Sequence, residues 1–131
     1  MSLDGDLRDR MVALTGAPVQ QDYGSAEKAQ PRIWYERATG ILPVSTTGEL
    51  LVTETVYAVE VEGMDADAVA GLAAVLTDPA SAGGLNGFYG EWGASRILGV
   101  FVEDAGDTFR FRGLGLDEGY HSAAFNLRVM T

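Results

Sequence analysis

Thr53-Glu54-Thr55-Val56-Tyr57-Ala58-Val59-Glu60-Val61, running on through Glu62-Gly63-Met64-Asp65-Ala66-Asp67-Ala68-Val69, is the stretch that decides the fold. The strand read from it spans about Leu50 to Val61. Leu51, Tyr57, Val59 and Val61 share one parity while Val52, Val56 and Ala58 share the other. Side chains alternate across a strand, so both faces are apolar near its middle and the strand belongs inside a sheet. Gly63 closes it. Asp65 or Asp67 then opens a helix with Val69, Leu72, Val75 and Leu76 on one stripe, its acids in the first turn where the helix dipole favours them. Pro79 stops this helix at about Asp78.

Toward the N-terminus, Asp6 is a cap for a first helix over about 6 to 15, with Leu7, Met11 and Leu14 on one face and Gly16 and Pro18 ending it. Residues 17 to 31 are mostly small or polar and read as a long surface connection. Arg32-Ile33-Trp34-Tyr35-Glu36-Arg37 is a short strand of aromatic and β-branched residues. The segment from Gly40 to Gly48 reads as an extended hairpin loop.

Toward the C-terminus, residues 81 to 94 carry so many glycines that they read as a loop, because each glycine adds backbone entropy that folding must remove. Phe88, Tyr89 and Trp92 sit within it. A strand follows at about Arg96 to Glu103, Ile97 and Phe101 on one face and Leu98, Val100 and Val102 on the other. Asp104-Ala105-Gly106-Asp107 is a turn signal. Phe109 and Phe111 alternate with Arg110 and Arg112, Gly113, Gly115 and Gly119 mark an irregular stretch, and a last strand over about Tyr120 to Met130 buries Ala123, Phe125, Leu127 and Val129. The expected fold is α+β: an antiparallel sheet of four to five strands with two helices on one face, in the order α-β-β-α-β-β with a possible further strand. One domain, 1–131, fits a length of 131 residues.

Composition narrows the function. Apolar residues make up 47% and charged residues 21%, which is the balance of an ordinary folded domain. There is no cysteine, so no disulfide framework or thiolate metal site exists. No apolar run is long enough for a membrane span, and the N-terminus lacks the pattern of an export signal. A net charge of −10 repels phosphate backbones and anionic lipid, and the arginines are scattered around a single lysine, Lys28. Membrane binding and direct sequence-specific nucleic-acid binding are therefore disfavoured.

Candidate chemistry is sparse. His121 is the only histidine and has no evident nucleophile to pair with. Asp4-x-Asp6, Asp65-x-Asp67 and Asp104-x-x-Asp107 are two carboxylates each, short of the six or so oxygens calcium takes, and helix capping and turn formation explain them. Gly84, Gly87, Gly90 and Gly93 recur every third residue, but no Gly-Lys-Ser/Thr follows to cradle a phosphate. Aromatics on a glycine frame do suit a recognition surface that orders against a partner. The candidate interaction residues are thus Phe88, Tyr89, Trp92, Arg110 and Arg112, with no catalytic, cofactor or metal residue assigned and no cofactor expected.

The order of elements resembles the phage tail-completion and tail-terminator proteins, on four stretches. These are the first helix, Asp6 to Thr15; Gln30-Pro31-Arg32-Ile33-Trp34-Tyr35-Glu36-Arg37; the long strand Thr53 to Val61 with its Ala-rich helix Asp65 to Leu76; and Gly119-Tyr120-His121-Ser122-Ala123-Ala124-Phe125-Asn126-Leu127-Arg128-Val129. The glycine-rich segment 81 to 94 departs from the family's pattern. The resemblance implies a non-enzymatic subunit of the virion tail, assembled in the host cytoplasm. Such a subunit forms a ring of its own copies, often a hexamer, between the tail-tube protein and the head connector. The alternatives are a small-ligand-binding or enzymatic domain with 81 to 94 as its lid, and a regulatory dimer that exchanges that segment.

Overall fold

The computed structural model describes residues 2–21, 31–38, 42–45, 51–63, 65–103, 109–113 and 116–131, with the backbone alone described at 42–45, 51–52, 109–113 and 116–120. Helix α1, Leu3–Thr15, begins three residues earlier than its periodicity suggests because Ser2 caps it, accepting from the Gly5 N–H at 3.1 Å. Asp6, the expected cap, is buried instead and receives the Ser95 hydroxyl. Gly16 ends α1 at φ 69°, returning its N–H to Val12. Helix α2, Ala66–Thr77, is capped by Asp65, whose side chain accepts from the Asp67 and Ala68 N–H groups. Its stripe is partly as expected: Val69 and Leu76 are buried and Leu72 packs on the core, but Val75 is 37% exposed.

Seven strands form one sheet: β1 (Val19–Gln21), β2 (Arg32–Arg37), β3 (Leu42–Ser45), β4 (Leu51–Gly63), β7 (Gly99–Glu103), β8 (Phe109–Gly113) and β9 (Leu116–Met130). Its main path runs β1-β2-β4-β9-β7, with β3 also on β4 and β8 also on β9. The fold is α+β, as expected, with two differences. The sheet is mixed, because β1, inside what reads as a connection, lies parallel to β2. It also has more strands, because β1 and β3 form inside the expected connections, and β9 is longer, beginning at Leu116, four residues before the expected start. The two strands with the strongest apolar alternation take the centre, and they pair antiparallel from Glu54↔Met130 to Gly63↔His121.

One sheet face carries the core. Leu7 and Met11 of α1 and Val69 and Leu76 of α2 belong to the same buried cluster as Tyr57, Val59, Val61, Phe125, Leu127 and Val129. This joins the apolar alternation of the two halves of the chain in a single layer. On the other face, Arg32 and Glu62 form a buried ion pair at 3.2 Å, and the Trp34 indole N–H also donates to Glu62. Burial, together with Glu62 alongside, pushes the Glu60 carboxyl on that face above its usual range.

Candidate assembly surface

The segment expected as a loop over 81 to 94 is mostly built structure. After one turn of 3₁₀ helix at Ala80–Ala82, β5 (Gly90–Trp92) and β6 (Ser95–Ile97) pair antiparallel in a small hairpin of their own, so the strand expected from Arg96 to Glu103 is divided between β6 and β7. Backbone bonds tie the preceding turn down: Leu85 donates to Leu76, Asn86 to Asp78, and Ala80 to Asn86. Gly84 is a glycine because a Cβ there would stand 2.0 Å from the Asp78 carbonyl oxygen. Close approach of two backbones, more than freedom of rotation, is what this position demands.

The same turn closes the outer edge of β7. Gly87 donates its N–H to the Val100 carbonyl at 2.7 Å, and the Asn86 side chain accepts from the Val102 N–H at 3.1 Å. An uncovered edge of that kind is a template for adding another strand, and these two bonds occupy it. Side chains, not backbone groups, are what this end of the sheet offers to a neighbour.

Three large apolar side chains stand out at that end: Tyr89 at 80% exposure, Leu98 at 51% and Phe101 at 46%. Tyr89 and Leu98 line one shallow concavity with Glu91 and Arg96. The Phe101 ring lies over Gly99, the residue after Leu98, where a Cβ would meet it at 3.3 Å. Tyr89 and Leu98 thus share one surface, whereas Phe101, opposite Arg128 in register, lies on the helix-free face of the sheet. Sequence alternation assigned Leu98 and Phe101 to strand faces; the signal that would have separated them is the Leu98-Gly99 break between Ile97 and Val100, where the backbone bends.

The expected interaction residues divide. Trp92 is buried at 3% exposure and stacks on Phe88 with ring centroids 5.5 Å apart. The Arg10 guanidinium of α1 covers Phe88 at 5.2 Å. Both rings thus fasten the hairpin to α1, and Tyr89 is the one turned to solvent. Gly93, at φ 56°, brings the hairpin turn against Asp6, whose carboxylate the Ser95 hydroxyl reaches. Arg110 and Arg112 lie on β8, with Arg110 opposite His121 in register, and their side chains fall outside the described residues.

The other candidate groups have structural partners. Asp4 is held by Arg37 at 2.6 Å, by Gln21 at 3.0 Å and by the Tyr57 hydroxyl, which locks the start of α1 to β1, β2 and β4. Burial acts to raise its pKa, but these donors outweigh it and hold the carboxyl below the usual range. This role goes beyond the helix capping expected of the Asp4-x-Asp6 pair. Asp65 does cap its helix, while Asp104 and Asp107 lie outside the described residues. Among the described residues no three His, Cys, Asp or Glu side chains converge, and no helix is long and apolar enough to cross a membrane. The helix-free face holds an open concavity of about 320 Å³, lined by Trp34, Glu36, Ala58, Glu60, Ala124 and Asn126.

These elements define a class: an α+β fold with a two-helix layer on one face of a mixed sheet and a hairpin packed at one end. A scan of protein-family models gives no match, and neither does a comparison with curated protein sequences. Among solved structures, the chain is similar to a chain of the "Virion of native gene transfer agent (GTA) particle", with a TM-score of 0.57 and 16% identity. The likeness covers 99% of this chain and 96% of that one, so it shows a shared fold over the whole length of both.

Proposed function

We propose that this chain is a non-enzymatic structural subunit of a phage-type particle, of the tail-completion or tail-terminator kind, and that it works as one tail-terminator-like unit. In this role it forms a ring at the head-proximal end of the tail tube, between the tube protein and the head connector. The observation that carries the reading is the end-to-end fold likeness to a chain of a gene transfer agent virion. It agrees with the resemblance to tail-terminator proteins carried by the order of elements and the four quoted stretches.

The physical properties support it. A ring subunit needs two unlike surfaces, and the chain offers an apolar end at β7 rimmed by Arg96 and Glu91 and, elsewhere, a helix α2 with exposed acids at its start. A charge of −10 also suits a ring through which DNA passes, because like charge on the lumen keeps the polymer from sticking. The lid of an enzyme must move, whereas Leu85 and Trp92 of the glycine-rich segment are buried and its turn is bonded at both ends.

Quantitative mass spectrometry of purified particles from the organism that carries the gene tests this. The expected result is this chain present at a few copies per particle, in fixed ratio to the tail proteins. Particles complete in tail and head but free of this chain would refute it.

A further inference from the structure

We propose that copies of this chain join head to tail, with Tyr89 and Leu98 of one copy seated against the groove between α1 and α2 of the next. The proposal rests on the ring-subunit reading above and names the two surfaces that would close the ring.

The first surface is the apolar end described above. The second is an open groove of about 420 Å³ whose lining includes Gly16, Pro18, Pro31, Gly71, Leu72 and Val75, none of them charged. Pro18 immediately precedes β1 and Pro31 immediately precedes β2, whereas Leu98 immediately precedes β7. β1 and β7 are the two ends of the sheet path, so the two surfaces lie at opposite ends of the subunit. Four strand spacings separate them, roughly 19 Å. That placement produces a heterologous contact, in which each copy uses one surface to the left and the other to the right.

The rims carry charges of opposite sign, Arg96 on one and Asp65 and Asp67 on the other, with Glu91 opposite Arg96 in the hairpin register. Arg96 is exposed beside Tyr89 and Leu98, and among the described residues it makes no ion pair, unlike Arg8, Arg32, Arg37 and Arg128. The groove borders the first turn of α2, where Asp65 and Asp67 are exposed and no cation bridges them among the described residues. In a chain with ten more acids than bases, two copies repel unless a local cation meets acids at the contact. An aromatic anchor in an apolar groove with charges on the rim is the usual anatomy of an energetic contact. The covered edge of β7 excludes strand addition as the competing way to join at that end.

Sedimentation velocity and native mass spectrometry on the full chain test this. The wild type should associate, and Tyr89→Ala and Val75→Arg should each weaken self-association about tenfold or more. Their thermal unfolding should stay unchanged, because both side chains are exposed. Mixing the two variants should restore a dimer and no larger species, since each brings one intact surface. Arg96→Glu should weaken association, and adding Asp67→Arg should recover it. Tyr89→Ala assembling like the wild type, or mixed variants failing to pair, would overturn the contact while leaving the ring reading standing. A wild type that is monomeric at its highest soluble concentration would also overturn the contact, and electron microscopy of the same sample with tail tubes then decides the reading separately.

Discussion

Replacing Gly84 with alanine should be among the most damaging single-methyl changes in the chain. The added Cβ would lie 2.6 Å from the Asp78 carbonyl carbon, where about 3.5 Å is needed, so the two backbones must part by about 1 Å. That movement breaks the Leu85-to-Leu76 and Asn86-to-Asp78 bonds, now 3.2 and 3.1 Å, at about 1 kcal/mol each. Overpacking a buried site adds about 1 to 3 kcal/mol, for a total of about 3 to 5 kcal/mol. This is a large share of a typical domain's stability, and it corresponds to a melting point roughly 10 to 20 °C lower. Urea unfolding gives the first number, and hydrogen exchange gives the mechanism. As the turn opens, Asn86 leaves the β7 edge, so the Val102 amide should lose protection before the central strands do. A loss below about 0.5 kcal/mol, with Val102 protected as in the wild type, would refute the close-approach argument.

Other outcomes follow from the polar groups. Glu62→Ala leaves Arg32 buried without its carboxylate and should cost about 3 to 5 kcal/mol by urea unfolding, with Glu62→Gln costing clearly less because it keeps an acceptor for Trp34. Tyr57→Phe removes a donor to Asp4 and should cost about 1.5 kcal/mol near neutral pH. Because the Asp4 pKa is depressed in the folded chain, its contribution is present above about pH 4 and is lost as pH falls through that depressed value. The gap between wild type and Tyr57→Phe should therefore narrow in acid, read from unfolding at a series of pH values. Glu60 has the opposite sign: its folded pKa is raised, so the protonated form favours folding and stability falls as pH rises through that value. Glu60→Gln should be more stable than the wild type at neutral pH and no more stable near pH 4, by the same titration of unfolding midpoints.

The large elements were legible because their patterns are strong. Residues 53 to 61 alternate on both faces, and residues 120 to 130 alternate on one; the structure pairs these two segments at the centre of the sheet. Helix α2 announces itself through Asp65 and Pro79. Short strands were not legible: β1 is Val-Gln-Gln, which carries no periodicity, and it exists because β2 supplies a parallel edge for it. The 81 to 94 segment was misread because its glycines signal flexibility when counted, whereas Gly84 and Gly93 serve close contacts with Asp78 and Asp6. Those contacts are tertiary and leave no local trace. Of the exposed apolar side chains, Tyr89 stands out in the sequence from its setting, but the exposure of Leu98 and Phe101 is hidden in a strand pattern whose bend only the fold reveals. Asp6 looked like a cap because aspartate commonly is one, and burial against Ser95 decided otherwise.

Electron microscopy of tail tubes incubated with this chain addresses the main claim most directly. A single layer of extra density, ring-shaped in end view, should sit at one end of each tube and stop further tube growth. Tubes that keep growing with bare ends, while the folded chain stays in the supernatant, would show that the subunit does not terminate tails.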